Sequence, residues 1–427
     1  MLSQLLSSGF SRRDALRLAT SGALGASLSG WMPVLAKATA SAPAPAAKRK
    51  SCILLYMDGG PSHIDTFDPK PGAETGGEFG VIDTSAPGIQ ISEHLPEMAK
   101  QMDKVTLLRG MSTAEGAHPR AKHLIHTGYR EGVGGLSYPS MGAIASAEIG
   151  NPNLPIPNFV AVGRSQGAGF LGAKHAPLVV NDPTKGVENL RPLVSAGQFD
   201  KRYDLLEQME SAFLKEYQAG QSADHKTTYQ RAVEMIRSKE AQAFDLSKES
   251  AETKAKYGSG RFAQGCLLAR RLVEAGVAFV EVNLGGWDTH ENNFDRVKNL
   301  SAQIDQPMAA LLADLKDRGM LDNTLVIWMG DFGRTPKINA RGEKPGRDHY
   351  PRAWTSLMAG AGLKGGRVIG KTDEKGGTVI ENPISAVDFM GGVCQVLGID
   401  SSKWYQTPIG RPIRVVDKSA KPIPGLV

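Results

Sequence analysis

Cysteine is scarce in this chain, with three in 427 residues: Cys52, Cys266 and Cys394. All three sit in apolar surroundings, and an odd, sparse set cannot build a disulfide framework, so buried packing is their expected role. Long apolar runs are missing too. Beyond the first forty residues no segment is long and apolar enough to cross a bilayer. There is no internal repeat. Strong charge of one sign is also lacking: formal net charge is +6, and residues 1–40 carry Arg12, Arg13, Arg17 and Lys37 against Asp14, which leaves +3 for the rest. So small an excess gives no reason to expect a nucleic-acid partner. What is present is ordinary for a soluble globular protein, with 41% hydrophobic and 22% charged residues and enough length for a large core.

The first forty residues have a different character. Ser11-Arg12-Arg13-Asp14-Ala15-Leu16 resembles a twin-arginine export signal. A weakly apolar stretch follows, too rich in Gly22, Gly25, Gly30 and Pro33 for a stable span, and then small-x-small cleavage sites at Ala36–Ala38 and Ala38–Ala40. The expectation is a signal peptide over 1–40, a Pro/Ala/Lys linker over 41–50 and a folded unit over 51–427. The export machinery would be one partner, and the destination periplasmic or secreted.

The run Cys52–Met57 is continuously apolar and stops at Asp58-Gly59-Gly60-Pro61. Unbroken apolarity suits a strand covered on both faces of a parallel sheet. Similar runs occupy 105–108, 277–282 and 324–329. Helical spacing marks Phe262–Ala275, stopped by Gly276. The same spacing relates Leu205, Leu206, Met209, Phe213 and Tyr217, then Tyr229, Val233, Ile236 and Phe244. Alternating strands and helices predict an α/β fold: a doubly wound, mainly parallel sheet flanked by helices, with a helical insertion over about 203–250.

Polar clusters follow the strands. Asp58 ends the first, Trp287-Asp288-Thr289-His290 follows the third, and Gly330-Asp331-Phe332-Gly333-Arg334 ends the fourth. Ligands of open α/β sheets gather at the carboxyl edges of the strands, so these loops can converge. Asp58, Asp288, His290, Asp331 and His349 offer three carboxylates and two imidazoles. That set suits one or two divalent ions, zinc first, with calcium or manganese as alternatives. Taken singly, each Asp could equally be a helix cap or turn residue.

Residues 115–130 hold His118, His123 and His126. His123 and His126 share a face if the segment is helical, and His118 precedes Pro119-Arg120 at the expected helix N-terminus, where backbone N–H groups favour an anion.

At this point the chain resembles the alkaline phosphatase and sulfatase superfamily. Residues 322–333 are similar to the superfamily strand that ends in a metal-binding Asp-His-Gly, and Ile53–Asp58 to its first strand. Residues 118–128 resemble the sulfatase signature that opens with the nucleophile, which places His118 at that position. Ala386-Val387-Asp388-Phe389 is a fainter likeness to a late helix start. The segments 59–71, 287–290, 333–336 and 346–351 together resemble a twin-arginine-exported, sulfatase-like branch.

The resemblance implies an alkaline phosphatase-like fold with Asp58 and Asp331 at one metal position and Asp288, His290 and His349 at the other. Phe332 departs from it by standing where a metal-binding His is expected, and no Cys or Ser stands at the nucleophile position. His63, His118 or His123 could supply the missing ligand. Ser62 or Ser112 could supply a hydroxyl nucleophile, or metal-activated water could attack. Arg120 and Arg334 could clamp an anionic ester, with Arg347 a further candidate. The expected function is metal-dependent hydrolysis of phosphate or sulfate esters, with His118, Arg120 and Ser62 as catalytic candidates and Arg334, Arg347, His63 and His123 as substrate-binding ones. The alternative is a non-catalytic protein on the same fold, recognising anionic polysaccharide or a protein partner.

Overall fold

The computed structural model describes residues 49–427 apart from 189, 191–193, 217–219 and 341. The twin-arginine segment, nearly all of the 41–50 linker and Tyr217 lie outside the described residues.

The frame of the protein is an eight-stranded sheet. In chain order its strands are β1 (Ser51–Met57), β2 (Val105–Met111), β3 (Phe159–Val162), β4 (Leu178–Val180), β5 (Phe279–Leu284), β6 (Thr324–Gly330), β7 (Trp354–Gly360) and β8 (Arg367–Ile369). Across the sheet the order is β8-β2-β7-β6-β1-β5-β3-β4. All neighbours pair in parallel except β7, which runs antiparallel to both β2 and β6. In the central three strands Ile53 stands between Val280 and Val326. The doubly wound, mainly parallel sheet expected from the sequence is therefore the fold observed.

Each all-buried strand feeds two cores, because successive side chains point to opposite faces. Ile53, Leu55 and Met57 join one core with α6 (Arg261–Glu274) and α7 (Asn293–Asp317). Cys52, Leu54 and Tyr56 join the other with α1 (His118–Thr127), α2 (Met141–Glu148) and α8 (Ala386–Leu397). Two covered faces account for the unbroken apolarity of the strands. The three cysteines are free and buried. Among the described residues no helix is long and apolar enough to cross a membrane.

Boundaries differ from the sequence reading in two places. The third strand starts at Phe279, because Val277 is used to close the preceding helix: its N–H donates to the Leu272 carbonyl at 3.0 Å, past Gly276 at φ +97°. The strand consequently runs to Leu284, directly before the glycines of the next loop. The helical segment begins earlier than expected and contains α3 (Ala196–Glu216) and α4 (Gly220–Arg237), with α5 (Ala251–Tyr257) following. Leu205, Met209 and Tyr229 on it are exposed.

Two features of this frame deliver side chains to the site. Asp58, Gly285–His290 and Asp331 follow the carboxyl ends of β1, β5 and β6, which are neighbours. Because β7 runs the other way, its leading segment starts at that same edge, and His349 pairs with Arg334 in a two-residue antiparallel ribbon there.

The helix start sensed at 386–389 is a complete capping box: Ser385 Oγ accepts from Asp388 N–H at 3.1 Å, and Asp388 accepts from Ser385 N–H at 3.0 Å. Ser385→Ala should lower stability by about 1 kcal/mol, read as a shifted urea midpoint with unchanged slope.

Candidate metal centre

Helix α1 is the element that organises the site. Its residues 118, 122 and 126 are four apart and share one face. Each meets a carboxylate from one of three adjacent strands. His118 Nδ1 lies 2.5 Å from Asp331 Oδ2, after β6. Lys122 Nζ pairs with Asp58 Oδ1, after β1. His126 Nε2 lies 3.3 Å from Glu281 Oε1, within β5. Asp331 also accepts from the Tyr56 hydroxyl, and Ser165 donates to Glu281. Burial acts to lower the His126 pKa, but the Glu281 carboxylate outweighs it and the net shift is upward.

Beyond Asp331 a second layer of imidazoles gathers around Asp288. From Asp288 Oδ1, His290 Nε2 is 3.1 Å away, His349 Nε2 3.3 Å and His118 Nε2 3.5 Å. His290 Nε2 and His349 Nε2 are 2.9 Å apart. Hydrogen bonding assigns the tautomers. His118 Nδ1 faces Asp331, His290 Nδ1 faces Asp348 at 3.0 Å, and His349 Nδ1 faces the Gly116 carbonyl at 2.8 Å. Each Nδ1 therefore donates, and each Nε2 presents a lone pair to the same point.

Two lone pairs 2.9 Å apart repel unless a cation sits between them. His118 Nε2 is buried without a hydrogen-bond partner. Ligand atoms around one tetrahedral zinc are separated by about 3.3 Å, given metal–nitrogen bonds of roughly 2.0–2.1 Å. The separations here, 2.9 to 3.5 Å, bracket that value. Each imidazole also has the outer partner that metal-binding histidines use to fix their ring. His118, Asp288 and His349 fit a divalent ion of the zinc type, with His290 beside Asp288 and His349 as a further donor. His118, Asp288 and His349 can bring one ligand atom each within 4.8 Å of the others.

Close backbone packing holds the loops together. Gly59 has φ +112°, and a Cβ there would lie 2.5 Å from the Asp288 nitrogen. A Cβ on Gly346 would lie 1.7 Å from the His290 carbonyl oxygen. Phe332 is fully buried, its ring 4.7 Å from both His118 and His349. Where the resemblance expects a ligand, the chain has an apolar wedge that fixes two of them.

Of the three arginine candidates, Arg334, one of the two expected clamps, and Arg347, the further one, are bound within the protein. Arg347 is fully buried, and all five of its N–H groups are used: two on Asp65, one each on the carbonyls of Thr75, Thr335 and Pro336. It has no donor left for a substrate. Arg334, also buried, donates to the carbonyls of Gly59, Gly60 and Arg347 and reaches Asp288 Oδ1 at 2.6 Å, so it positions Asp288. Burial tends to raise the Asp288 carboxyl, but the Arg334 guanidinium hydrogen-bonded to it outweighs this and brings it down to about 2.

Other expected residues lie apart from the cluster. Ser62 is fully buried, its hydroxyl accepting from Asp65 N–H at 3.3 Å, which closes it to substrate. His63 is buried against the Gly376 carbonyl at 2.8 Å, and burial lowers its pKa. His123 is half-buried with its ring 6.4 Å from that of Tyr138. Ser112 bonds through its backbone to Ile384. Arg120 is exposed and paired with Glu115 at 2.9 Å. Asp58 meets Lys122 instead of joining the Asp288 group. Lys122, Tyr56 and Asp348 were not singled out from the sequence. The i, i+4 spacing of His118 and Lys122 was the available signal for the first.

Residues 49–427 match the family described as Protein of unknown function (DUF1501). The chain belongs to that family. No curated protein matches the DUF1501 chain in sequence. Among solved structures it is similar to the PsFucS1 sulfatase from Pseudoalteromonas sp., with 12% identity, TM-score 0.36, and 82% of this chain and 68% of that one covered. It is also similar to the lipoteichoic acid synthase LtaP from Listeria monocytogenes, with 12% identity, TM-score 0.37, and 84% and 74% covered. A variant of the TAB5 alkaline phosphatase with magnesium bound matches at 16% identity and TM-score 0.37, with 83% and 99% covered. At such identities and scores these matches carry no argument about chemistry, which rests on the site itself.

Arg347→Ala leaves Asp65 as an unpaired buried charge and should cost about 3–5 kcal/mol in chemical denaturation. For Asp288 the folded-state pKa lies below the ordinary carboxylate value, so its contribution is present above about pH 4 and lost as pH falls towards 2. The metal-free wild type should therefore lose more stability between pH 5 and pH 2 than Asp288→Asn does.

Proposed function

We propose that this DUF1501 protein is a metal-dependent hydrolase of phosphate or sulfate esters that works after export by the twin-arginine route. The observation that carries this reading is the convergence of three Nε2 lone pairs on Asp288, each ring held from behind. His118, Asp288, His290 and His349 hold the ion. Bound there, a divalent ion supplies Lewis-acid and water-activating chemistry. The chain's own groups do the rest. Asp331, fixed by Tyr56, orients His118. Arg334 holds Asp288 in place and offsets its charge. Phe332 excludes water from the back of the two imidazoles. The ester enters where Asp58, Lys122 and Asp288 are partly exposed.

A second reading, a non-catalytic protein that binds anionic polysaccharide or a protein partner, is favoured by one observation: both buried arginines are occupied and Ser62 is closed off. Turnover separates the two.

Purified mature protein should contain stoichiometric divalent metal and hydrolyse aryl phosphate or aryl sulfate. His349→Ala should lose the ion in elemental analysis and reduce kcat/KM by roughly 10²-fold or more, with an unchanged circular dichroism spectrum. Bound metal without turnover favours the binding protein, and absence of both removes the hydrolase reading.

A further inference from the structure

A cavity of about 580 Å³ lies between α1 and the start of α8, and no residue of the metal centre lines it. Its apolar wall includes Leu124, Val133 and Val387, and Val133 is 46% exposed. Leu124 stands on the opposite face of α1 from Lys122 and His126, so the helix has the carboxylates of the sheet on one side and the cavity on the other. Three kinds of donor reach the same space. Arg130 lines it, is exposed, and has no side-chain partner among the described residues. Thr113 Oγ1 is buried with no hydrogen-bond partner. The first N–H groups of α8, at Ala386 and Val387, cannot be satisfied inside the helix. One acid, Asp417, also borders the cavity, and its carboxylate is taken by the Ser419 N–H at 2.9 Å. Apolar walls with a few converging donors suit an amphipathic anion.

The segment 112–116 ties this cavity to the metal centre. Ser112 N–H donates to the Ile384 carbonyl at 2.9 Å, just before α8, and Thr113 N–H donates to the Pro351 carbonyl at 2.8 Å. Three residues on, the Gly116 carbonyl holds His349 Nδ1 at 2.8 Å. A ligand bonded to Thr113 therefore acts on the segment that orients a metal ligand.

We propose that the cavity is a second ligand site, taking an apolar carboxylate, and that its occupancy tunes the ion affinity of the centre through His349. The carboxylate sits among Arg130, the Thr113 hydroxyl and the start of α8, and the hydrocarbon body lies along Leu124 and Val387. The site needs no turnover, so it stands apart from the hydrolase reading. Linkage makes the coupling reciprocal: the factor by which the acid changes metal binding is the factor by which metal changes binding of the acid.

Sodium octanoate is the probe, with octanamide as its uncharged counterpart, in calorimetric titration of the metal-stripped mature protein. Octanoate should bind at one site, and octanamide about fivefold more weakly or worse. Arg130→Gln, at an exposed position, should weaken octanoate by a similar factor. Val387→Trp, which fills the cavity, should abolish its binding, with folding checked by thermal denaturation. In zinc titrations, saturating octanoate should shift the wild-type affinity by roughly threefold or more, and the shift should shrink in Arg130→Gln at the same octanoate concentration. No octanoate binding, equal binding of octanamide, or binding unaffected by either substitution overturns the site. Octanoate binding with unchanged zinc affinity overturns the coupling. So does a zinc shift undiminished in Arg130→Gln, which means that octanoate meets the ion directly. No zinc binding in the wild type removes the coupling together with the metal reading.

Discussion

Three carboxylates carried by three neighbouring strands, two at the strand ends and one within, impose the constraint on which the site depends. Asp331, Asp58 and Glu281 come from β6, β1 and β5, and negative groups set side by side among buried side chains require positive or hydrogen-bonding partners. One face of α1 supplies them in order, with an imidazole, an ammonium and an imidazole at successive turns. The helix is thereby docked in register over the sheet. His118 can aim its second nitrogen outward only because Asp331 holds the first. The outward layer around Asp288 is built on this inner one.

The same logic divides the arginines from the histidines. Arg334 and Arg347 stand beneath the loops, where their donors bind carbonyls and carboxylates of segments far apart in sequence. A guanidinium with five fixed donors suits the knitting of irregular backbone that has no ladder of its own. The imidazoles above turn one nitrogen each toward Asp288. Rigidity below and converging nitrogens above are what a ligand shell requires.

Much of this could be read from the chain alone. β1 and β6 show as apolar runs, and each ends in the aspartate that the site uses. Asp288 and His290 sit in a glycine-led loop after β5, so their strand-end placement was legible as well. The antiparallel sense of β7 was not, because an apolar run such as Trp354–Gly360 does not encode its direction; pairing with β2 and β6 does. Arg347 reads as exposed because its partner Asp65 is distant in sequence, and only the folded loops bring the two together. Ser62 follows a Gly-Gly-Pro turn that looks open in sequence but is covered in the fold. Lys122 looks like a solvated helix lysine until Asp58 is placed opposite it.

The reversal of β7 also sets an order of assembly. His118 lies in the first third of the chain and His349 in the last, and the latter reaches the cluster only once β7 has been inserted between β2 and β6. Since β2 forms its pairing with β6 through β7, the gap in the sheet stays open until almost the whole polypeptide has been made. The ligand shell therefore closes late, and a captured ion would act as a latch on a completed sheet, marking finished molecules apart from truncated or half-folded ones.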